Sequence, residues 1–409
     1  MGDNMSCNKN VLVLPGSRWQ IELVEKIKSM GHKVFVVNPY DNSPCFKIAD
    51  DFLQCDIFDI KKIYEYCENN QIETIISDEC DIAMPVVANI GERFSFSTIT
   101  PELAKLYTDK FLMREFCCKH GIKSPEYKLC ENVDDAISFF RKLKKTIIIK
   151  PLDSNASKGV YKVSSEEDIR KYFDKSLSFS RSGKCVLAER YIEGTEFTID
   201  GIKTPSNHYT LAISEKKHFK HNSNIASELL FTHKSDVYDY DELRKVNDKF
   251  VMKSNLKFGF THAEYKLENG EFYLIEIAAR GGGNMISSVI APFLSGHDTY
   301  QYLINCSFGN IRDEDFSVLS EYKERAAILK FFKTPDGGGI VRGIKGIDIL
   351  ESEEDVFEYM LNFEIGDKIE DAVSDSARIG FFIVCSENKE KMLNVVKKVE
   401  NAFEIILEK

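Results

Sequence analysis

The 409-residue sequence contains no run of about 20 apolar residues, the length that a helix needs to cross a bilayer. Its first residues, MGDNMSCNKN, are polar and lack the apolar core of a secretion signal. These two absences argue against a membrane-spanning or secreted protein. They predict a cytoplasmic location.

Positive charge is scarce, because 54 lysine and arginine residues face 65 aspartate and glutamate residues, which gives a formal net charge of -11. A nucleic-acid-binding surface needs clustered lysine and arginine to contact phosphates. The balance therefore argues against a nucleic-acid partner. It remains compatible with a small anionic ligand that a few local cations hold.

The 11 cysteines form no C-x-x-C motif and are scattered from Cys7 to Cys385. Cys117 and Cys118 are adjacent, a spacing that favours neither a disulfide pair nor a metal chelate. We therefore predict buried free thiols in a reducing compartment, rather than a metal site or a disulfide framework.

The first hundred residues alternate apolar strands with amphipathic helices. The strands are expected in NVLVLPG, HKVFVVN and ETIISD, with a helix in WQIELVEKIKSMG between the first two. Such alternation predicts a parallel sheet covered by helices. The first turn, PGSRWQ, lacks G-x-G-x-x-G, so a dinucleotide site is not expected in this Rossmann-like lobe.

A domain boundary is expected near residue 100, where Thr100 can cap a helix that Gly121 can end. Strands and helices then follow in mixed order, and a final lobe ends in an amphipathic helix around 388–404. The fold class is therefore α/β followed by α+β. The expected units are residues 1–100, 101–310 and 311–409.

The stretch HAEYKLENGEFYLIEIAARGGGN (262–284) reads as two apolar strands around a turn, each with one carboxylate, Glu264 and Glu276. A two-residue Asn-Gly turn would place the two acids on opposite faces. A three-residue loop over 268–270 would pair residue 264 with 274, so that both acids point the same way. We predict the three-residue loop and converging carboxylates.

Two neighbouring carboxylates without a basic partner repel each other, and burying them uncompensated is costly. A divalent cation removes this conflict, and oxygen ligands favour Mg²⁺ or Mn²⁺. The alternative is that one or both acids are solvated or paired with lysine, as most glutamates are. The apolar residues around the acids, and Arg280 with the three glycines after it, favour the cation site.

A second stretch begins at Lys150, which ends a strand and precedes DSNASKGV. Its Ser157, Lys158 and Gly159 can offer a hydroxyl, an ammonium group and close backbone amides to phosphates. By itself this stretch is also compatible with an ordinary turn.

A third stretch is LAERYIEGTEF (187–197). Backbone groups at its strand end, together with Glu189, could bind the edge of adenine, and Glu196 could accept hydrogen bonds from ribose hydroxyls. By itself this stretch is also compatible with a surface strand whose charges are solvated.

In this order and spacing, the three stretches resemble the ATP-grasp superfamily of carboxylate–amine ligases. LENGEFYLIE is similar to the metal-binding hairpin of biotin carboxylase, and the whole hairpin with SKGV upstream is more similar to the L-amino acid ligase branch. The resemblance spans nearly the whole chain. It implies an ATP-grasp fold with a Rossmann-like N-terminal lobe, a central nucleotide clamp with a mobile lid at about 125–190, and a C-terminal α+β lobe.

The resemblance also implies roles for individual residues. Those expected to bind ATP are Lys110, Lys150, Ser157, Lys158, Gly159, Glu189, Arg190, Tyr191, Ile192 and Glu196. Glu264 and Glu276 would bind one or two Mg²⁺ (or Mn²⁺) ions, and Arg280 would be the catalytic residue. Those assigned to the substrate are His221, Ser223, Gly281, Gly282, Gly283 and Asn284.

The sequence departs from the family pattern at Ala278, where many members have asparagine in E-x-N-x-R. A water molecule or Asn284 would have to replace that ligand of the second metal. The number of metal ions therefore stays open at one or two.

The implied activity is that of a ligase which activates a small carboxylate, in the first instance an amino acid, as an acyl phosphate. It would then join the acyl group to an amine and release ADP and phosphate. The alternatives are a small-molecule kinase of the same fold and an ATP-binding regulatory protein without turnover. The expected partners are small molecules, with no nucleic acid and no membrane, and relatives suggest a homodimer. Trp19 is interpreted as a packing residue.

Overall fold

The computed structural model describes residues 8–154, 157–181, 183–335 and 337–408. The predictions that concern Cys7, Asn155, Ala156 and Asp336 lie outside the described residues. In the part of the chain that is described, no helix is long and apolar enough to span a bilayer. The described cysteines are all free and most of them are buried, as predicted.

The N-terminal lobe is a parallel sheet covered by helices, as the alternation of strands and helices predicted. Its strands are β1 (Asn10–Val13), β2 (Lys33–Asn38), β3 (Asp51–Gln54) and β4 (Thr74–Ile76). Their order in the sheet is β3-β2-β1-β4. Its helices are α1 (Ile21–Ser29), α2 (Ile60–Asn69) and α3 (Met84–Phe94). β3 was not predicted, because four largely exposed residues give no clear apolar periodicity.

The segment after residue 100 forms two helices rather than the single helix predicted up to Gly121. α4 (Pro101–Leu106) has the expected cap, because the side chain of Thr100 accepts a backbone hydrogen bond from its first turn. Asp109 then caps α5 (Lys110–His120) by accepting from two backbone amides. The second cap restarts the helix and places a lysine at its first position.

A four-stranded antiparallel sheet follows, packed against two helices. Its elements are β5 (Tyr127–Cys130), α6 (Val133–Leu143), β6 (Ile147–Pro151), β7 (Tyr161–Val163), α7 (Glu166–Leu177) and β8 (Val186–Arg190). The strand order is β5-β8-β6-β7. These strands occupy the segment for which a lid was predicted, and the mobility of that lid stays a prediction.

The remaining elements build one large and one small sheet. The strands are β9 (Thr195–Lys203), β10 (His208–His218), β11 (Ala226–Thr232), β12 (Gly259–Glu268), β13 (Glu271–Ala278), β14 (Ala326–Phe331), β15 (Gly339–Lys345), β16 (Val356–Leu361), β17 (Lys368–Ile369), β18 (Gly380–Ser386) and β19 (Glu404–Glu408). The helices are α8 (Tyr240–Ser254), α9 (Ala291–Ser295), α10 (Thr299–Ser307), α11 (Ile347–Ser352) and α12 (Lys389–Ala402).

The large antiparallel sheet has the order β13-β12-β9-β10-β11-β14-β18-β16, and the small one β17-β15-β19. Because the large sheet contains strands from both sides of residue 310, the three predicted units stay a proposal. One apolar core joins the N-terminal lobe to this sheet, with Val36, Leu303 and Leu329 among its buried members. The candidate site therefore lies where the N-terminal lobe meets the large sheet.

Candidate active site

β12 and β13 are joined by a two-residue turn, not by the three-residue loop that the sequence predicted. Glu268 pairs with Glu271, so the turn consists of Asn269 and Gly270. Both turn residues have positive φ, 52° and 80°, which is the geometry that an Asn-Gly turn favours. The loop prediction was wrong, and this turn alone would separate the two carboxylates.

The carboxylates converge nevertheless, because a β-bulge shifts the register of the hairpin. Glu264 lies opposite Glu276, and the bulge leaves Ile275 without a cross-strand partner. The carbonyl of Ile275 accepts a hydrogen bond of 2.6 Å from Nη2 of Arg114, which is fully buried. The predicted convergence is therefore confirmed, but it arises from a bulge that is held by a distant residue.

Each of the two carboxylates is paired with a lysine. Nζ of Lys110 lies 2.7 Å from Oε1 of Glu276, and Nζ of Lys216 lies 3.0 Å from Oε1 of Glu264. The side chain of Glu276 is 39% exposed and that of Glu264 is 29% exposed, and both side chains line a cavity. The lysine pairing that the sequence left as an alternative is thus present, and it offsets the repulsion between the acids.

The same residues fit a divalent cation that is shared with phosphate oxygens. Two adjacent carboxylates with exposed surface supply hard oxygen ligands, but too few to complete a magnesium shell. Among the described residues, no group of three or more histidine, cysteine, aspartate or glutamate side chains is placed to hold a metal. Glu264 and Glu276 would therefore hold a cation together with its nucleotide, and Lys110 and Lys216 would turn towards phosphates.

Lys150 belongs to a buried ion cluster with Glu189 and Arg114. The two carboxylate oxygens of Glu189 lie 2.7 Å from Nζ of Lys150 and 2.7 Å from Nε of Arg114. Burial lowers the pKa of Lys150. Burial alone would raise the pKa of Glu189, but Arg114 and Lys150 outweigh it and hold that pKa below its ordinary value. The carboxylate of Glu189 thus positions Lys150, whereas a direct contact with adenine was predicted.

Glu196 lies among three basic side chains on the cavity wall. Its oxygens are 2.6 Å from Nζ of Lys216, 3.4 Å from Nε2 of His218 and 3.6 Å from Nζ of Lys266. Burial opposes ionisation, but Lys216 and its neighbours outweigh it and hold the pKa of Glu196 well below its usual range. Glu196 is therefore an anionic acceptor, which is what its predicted contact with ribose hydroxyls requires.

The segment 190–192 lies where the chain passes from β8 of the four-stranded sheet to β9 of the large sheet, and it lines the cavity. The amides of Arg190 and Tyr191 donate to the carbonyls of Glu126 and Thr146, so these two amides are not open to a nucleobase. The predicted backbone contact of these two residues with adenine stays a prediction. Among the described residues, none accepts a hydrogen bond from the backbone amide of Ile192, so we expect this amide to donate to adenine.

Two described residues of the stretch DSNASKGV, Ser154 and Ser157, contact other parts of the fold. Oγ of Ser157 donates to Oδ2 of Asp375 at 2.8 Å, and Nζ of Lys110 donates to the carbonyl of Ser154 at 2.9 Å. Gly159 has a φ of 75°, and a Cβ there would lie 2.9 Å from Phe179. Ser157 lines the cavity, whereas Lys158 is exposed.

Arg280 lies on the cavity wall but is bound by a carboxylate that the sequence analysis did not select. Its Nε and Nη2 donate to the two oxygens of Asp81 at 2.8 and 2.6 Å, and its Nη1 donates to the carbonyl of Gly281. Burial opposes the charge of Arg280, but Asp81 outweighs it and raises the pKa of the guanidinium. Asp81 therefore fixes the orientation of the predicted catalytic arginine.

Asp78 and Glu79 add two more carboxyl groups beside Asp81. Asp78 accepts from the amide of Gly281 at 2.7 Å and from the hydroxyl of Ser287 at 2.6 Å. Burial raises the pKa of both Asp78 and Glu79. These residues could have been found from the sequence, because SDECD directly follows β4 and the carboxyl ends of parallel strands form binding sites.

The residues assigned to the substrate are not all at the cavity. Those that line it are Ser223, Gly283 and Asn284. His221 does not line it, and its Nε2 lies 3.1 Å from the carbonyl of Ala372. Gly281 and Gly282 are needed for close packing, because a Cβ at either position would lie within 2.5 Å of another side chain. The amide of Gly281 already donates to Asp78, so it is not free to bind the substrate to which this residue was assigned.

Arg378 is a cationic residue of the cavity wall that sequence reasoning missed. It comes from the C-terminal lobe, and its guanidinium carbon lies 3.6 Å from the ring centroid of Phe331. Nη1 lies 3.1 Å from Oδ1 of Asp375, the residue that also accepts from Ser157. Arg378 reaches the cavity only because the C-terminal lobe packs against the rest of the fold, so no local sequence pattern could have identified this residue.

The cavity itself has a volume of about 640 Å³ and is lined by residues from all lobes. Residues 143–289 match the family model of the ATP-grasp domain, and residues 331–408 match that of the L-amino acid ligase C-terminal domain 2. Over residues 143–289, the chain therefore contains an ATP-grasp domain. The fold predicted from the sequence is thereby confirmed.

Curated relatives of the chain include enzymes with different substrates. It is 25% identical over 187 residues to a formate-dependent phosphoribosylglycinamide formyltransferase of Methanococcus maripaludis, covering 45% of this chain and 48% of that protein. It is 23% identical over 370 residues to the phosphoribosylamine–glycine ligase of Pyrococcus furiosus, covering 85% and 81%. The chain spans about half the length of the formyltransferases that it matches.

Solved structures resemble nearly the whole chain. The L-amino acid ligase from Bacillus licheniformis has a TM-score of 0.82 and 18% identity, covering 98% of this chain and 99% of that one. The biotin carboxylase domain of the Hydrogenobacter thermophilus 2-oxoglutarate carboxylase, described as a dimer with MgADP, ADP and bicarbonate, has a TM-score of 0.77 and 14% identity, covering 97% and 90%. At these identities the likeness establishes the fold.

Proposed function

We propose that this ATP-grasp chain is a ligase that activates an amino acid carboxylate as an acyl phosphate and joins it to an amine, releasing ADP and phosphate. The observation that carries the proposal is the convergence of Glu264 and Glu276 beside the buried cations Lys110 and Lys150. The match to an L-amino acid ligase C-terminal domain supports the choice of a carboxylate–amine ligase within the superfamily.

The nucleotide would lie along the part of the cavity wall that residues 190–192 and the large sheet form. Lys110 and Lys150 would contact the phosphates, the amide of Ile192 the adenine, and Glu196 the ribose. One or two Mg²⁺ ions, held by Glu264 and Glu276, would neutralise the triphosphate and align its terminal phosphorus for in-line attack.

In the first step, an oxygen of the substrate carboxylate attacks the γ-phosphorus, and ADP leaves with the electron pair of the broken P–O bond. The acyl phosphate formed would hydrolyse in open water, so the cavity must close around it. The hydrogen bond between Ser157 and Asp375 connects the stretch DSNASKGV to the C-terminal lobe. This contact supports a role for that stretch in closing the cavity.

In the second step, the amine lone pair forms the C–N bond, and phosphate leaves the acyl carbon with the electron pair of the C–O bond. Arg280, fixed by Asp81, would stabilise the negative charge that develops on the carbonyl oxygen. The amine loses a proton to solvent or to the departing phosphate.

An amino acid is the favoured carboxylate because acidic groups also line the cavity. Glu79 and Asp81 both face it, and Arg280 adjoins them. In a substrate with an ammonium group beside its carboxylate, the ammonium group would donate hydrogen bonds to these acidic groups and the carboxylate would lie beside Arg280. We also propose a cytoplasmic location and a homodimer. The homodimer rests on the dimer reported for the biotin carboxylase domain.

The test is to measure ADP and phosphate release from Mg·ATP with amino acids and other small carboxylates, singly and in pairs. We expect turnover that requires a pair, together with an amide product seen by mass spectrometry. A phosphorylated product from a single substrate would instead indicate a small-molecule kinase. Tight binding of Mg·ATP without turnover for any pair would favour a regulatory protein and contradict the proposal.

A further inference from the structure

Part of the cavity wall belongs to one apolar cluster, whereas the paired carboxylates and their lysines make another part of the wall charged. The side chains that form it come from three parts of the fold and share an apolar character: Trp19, Leu229, Ile286, Leu329, Phe331 and Phe381. Charged residues also line the cavity, among them Arg280 and Arg378, and Arg378 lies directly over the ring of Phe331. The cavity thus offers an apolar surface next to groups that suit a charged head group.

Trp19 was interpreted from the sequence as a packing residue, and the structure gives it a second role. It stacks on Phe381 with ring centroids 6.2 Å apart and an interplanar angle of 23°, but it also lines the cavity. The guanidinium of Arg18 lies 5.5 Å from its ring centroid and donates to Asn362 of the C-terminal lobe at 3.4 Å. The indole is therefore held in place between two lobes.

The aromatic wall continues on the C-terminal lobe. Phe331 and Phe381 lie on adjacent strands with ring centroids 6.1 Å apart, and Arg378 covers the ring of Phe331. Both phenylalanines are almost fully buried, so their exposed edges are those that face the cavity. A rigid wall of this kind binds an apolar side chain with little loss of its own conformational freedom.

We propose that this wall is a side-chain subsite, and that one of the two substrates is an amino acid with a large apolar or aromatic side chain. The proposal rests on the proposed function for the reaction, because the carboxylate and ammonium groups of that amino acid would bind the charged part of the cavity. A glycine or a small polar substrate would leave the apolar wall facing water, which is unfavourable.

Trp19 is the only tryptophan in the chain, so its fluorescence reports occupancy of the subsite without any need for turnover. With Mg²⁺ and a non-hydrolysable ATP analogue bound, we expect L-phenylalanine and L-leucine to give a saturable change in emission excited at 295 nm. Glycine should give none at the same concentrations. No saturable change with either apolar amino acid would overturn the proposal.

Steady-state kinetics give a second readout. Trp19→Ala should raise KM for the apolar amino acid about 10- to 100-fold with little change in kcat, and Trp19→Phe should restore most of the affinity. Tyr40→Ala is the matched control, because Tyr40 lies in the same lobe and is 70% exposed. Equal KM effects on glycine and on apolar substrates would contradict the subsite. A fluorescence change without turnover for any pair would support the subsite and contradict the ligase reaction.

Discussion

Replacing Glu276 by glutamine is expected to lower kcat for ADP release by about 10²- to 10³-fold, the scale of losing a directly charge-stabilising group. The amide keeps the shape of the side chain but carries no charge for the cation that accompanies the nucleotide. It also leaves the buried Lys110 without its carboxylate at 2.7 Å. The measurement is steady-state ADP release over a range of Mg²⁺ concentrations, and the variant should need more Mg²⁺ than the parent protein.

Glu271→Gln is the matched control for this substitution. Glu271 lies on the same strand, is 48% exposed in its side chain and pairs with Lys123 away from the cavity. Turnover of this variant should equal that of the parent. Near-parental turnover of Glu276→Gln, or equal losses in both variants, would show that the paired carboxylates do not hold the nucleotide's cation.

Replacing Arg114 by methionine should be the most destabilising of the changes considered, by about 3–5 kcal/mol in the free energy of unfolding. Methionine fills a similar volume but leaves Oε1 of Glu189 and the carbonyl of Ile275 without the donor that Arg114 supplies. The measurement is the melting temperature followed by circular dichroism. The variant should also lose turnover at temperatures where it is folded, because the bulge that brings the two carboxylates together would relax.

Arg141→Met serves as the control for this stability measurement. Arg141 also makes a 2.7 Å contact with a glutamate, Glu166, but its side chain is 66% exposed, so its removal should barely change the melting temperature. If the two variants melt together, the buried cluster is not the support of the hairpin that we infer.

The sequence predicted those parts of the fold that depend on local periodicity. The apolar run of β1, the cap at Thr100 and the C-terminal helix near 388–404 were all found where expected. The prediction failed where a distant residue decides the local structure. The turn chemistry of Asn269 and Gly270 was read as a longer loop to make the carboxylates converge, whereas the bulge at Ile275 achieves the same result.

The candidate site shows the same division. Family resemblance selected Lys110, Lys150 and the two hairpin glutamates, and the structure brings all four to one cavity. It could not select Arg378, which reaches the cavity only because the C-terminal lobe packs there. Nor could periodicity reveal that both carboxylate oxygens of Glu189 would be paired with cations, Arg114 and Lys150.

The carboxyl groups of SDECD could have been predicted. They follow the buried strand β4 directly, and polar residues at the carboxyl ends of parallel strands commonly form ligand sites. Their effect on Arg280 could not, because the contact with Asp81 joins residues 199 positions apart in the chain. The predicted catalytic arginine is therefore placed by a residue of another lobe.

The central claim is that the substrate carboxylate is activated as an acyl phosphate, and transfer of oxygen tests it most directly. An amino acid labelled with ¹⁸O in its carboxylate should be incubated with Mg·ATP and the amine, and the released phosphate analysed by mass spectrometry. We predict one ¹⁸O atom in each phosphate and an equal amount of amide product. Turnover that releases unlabelled phosphate would contradict the account.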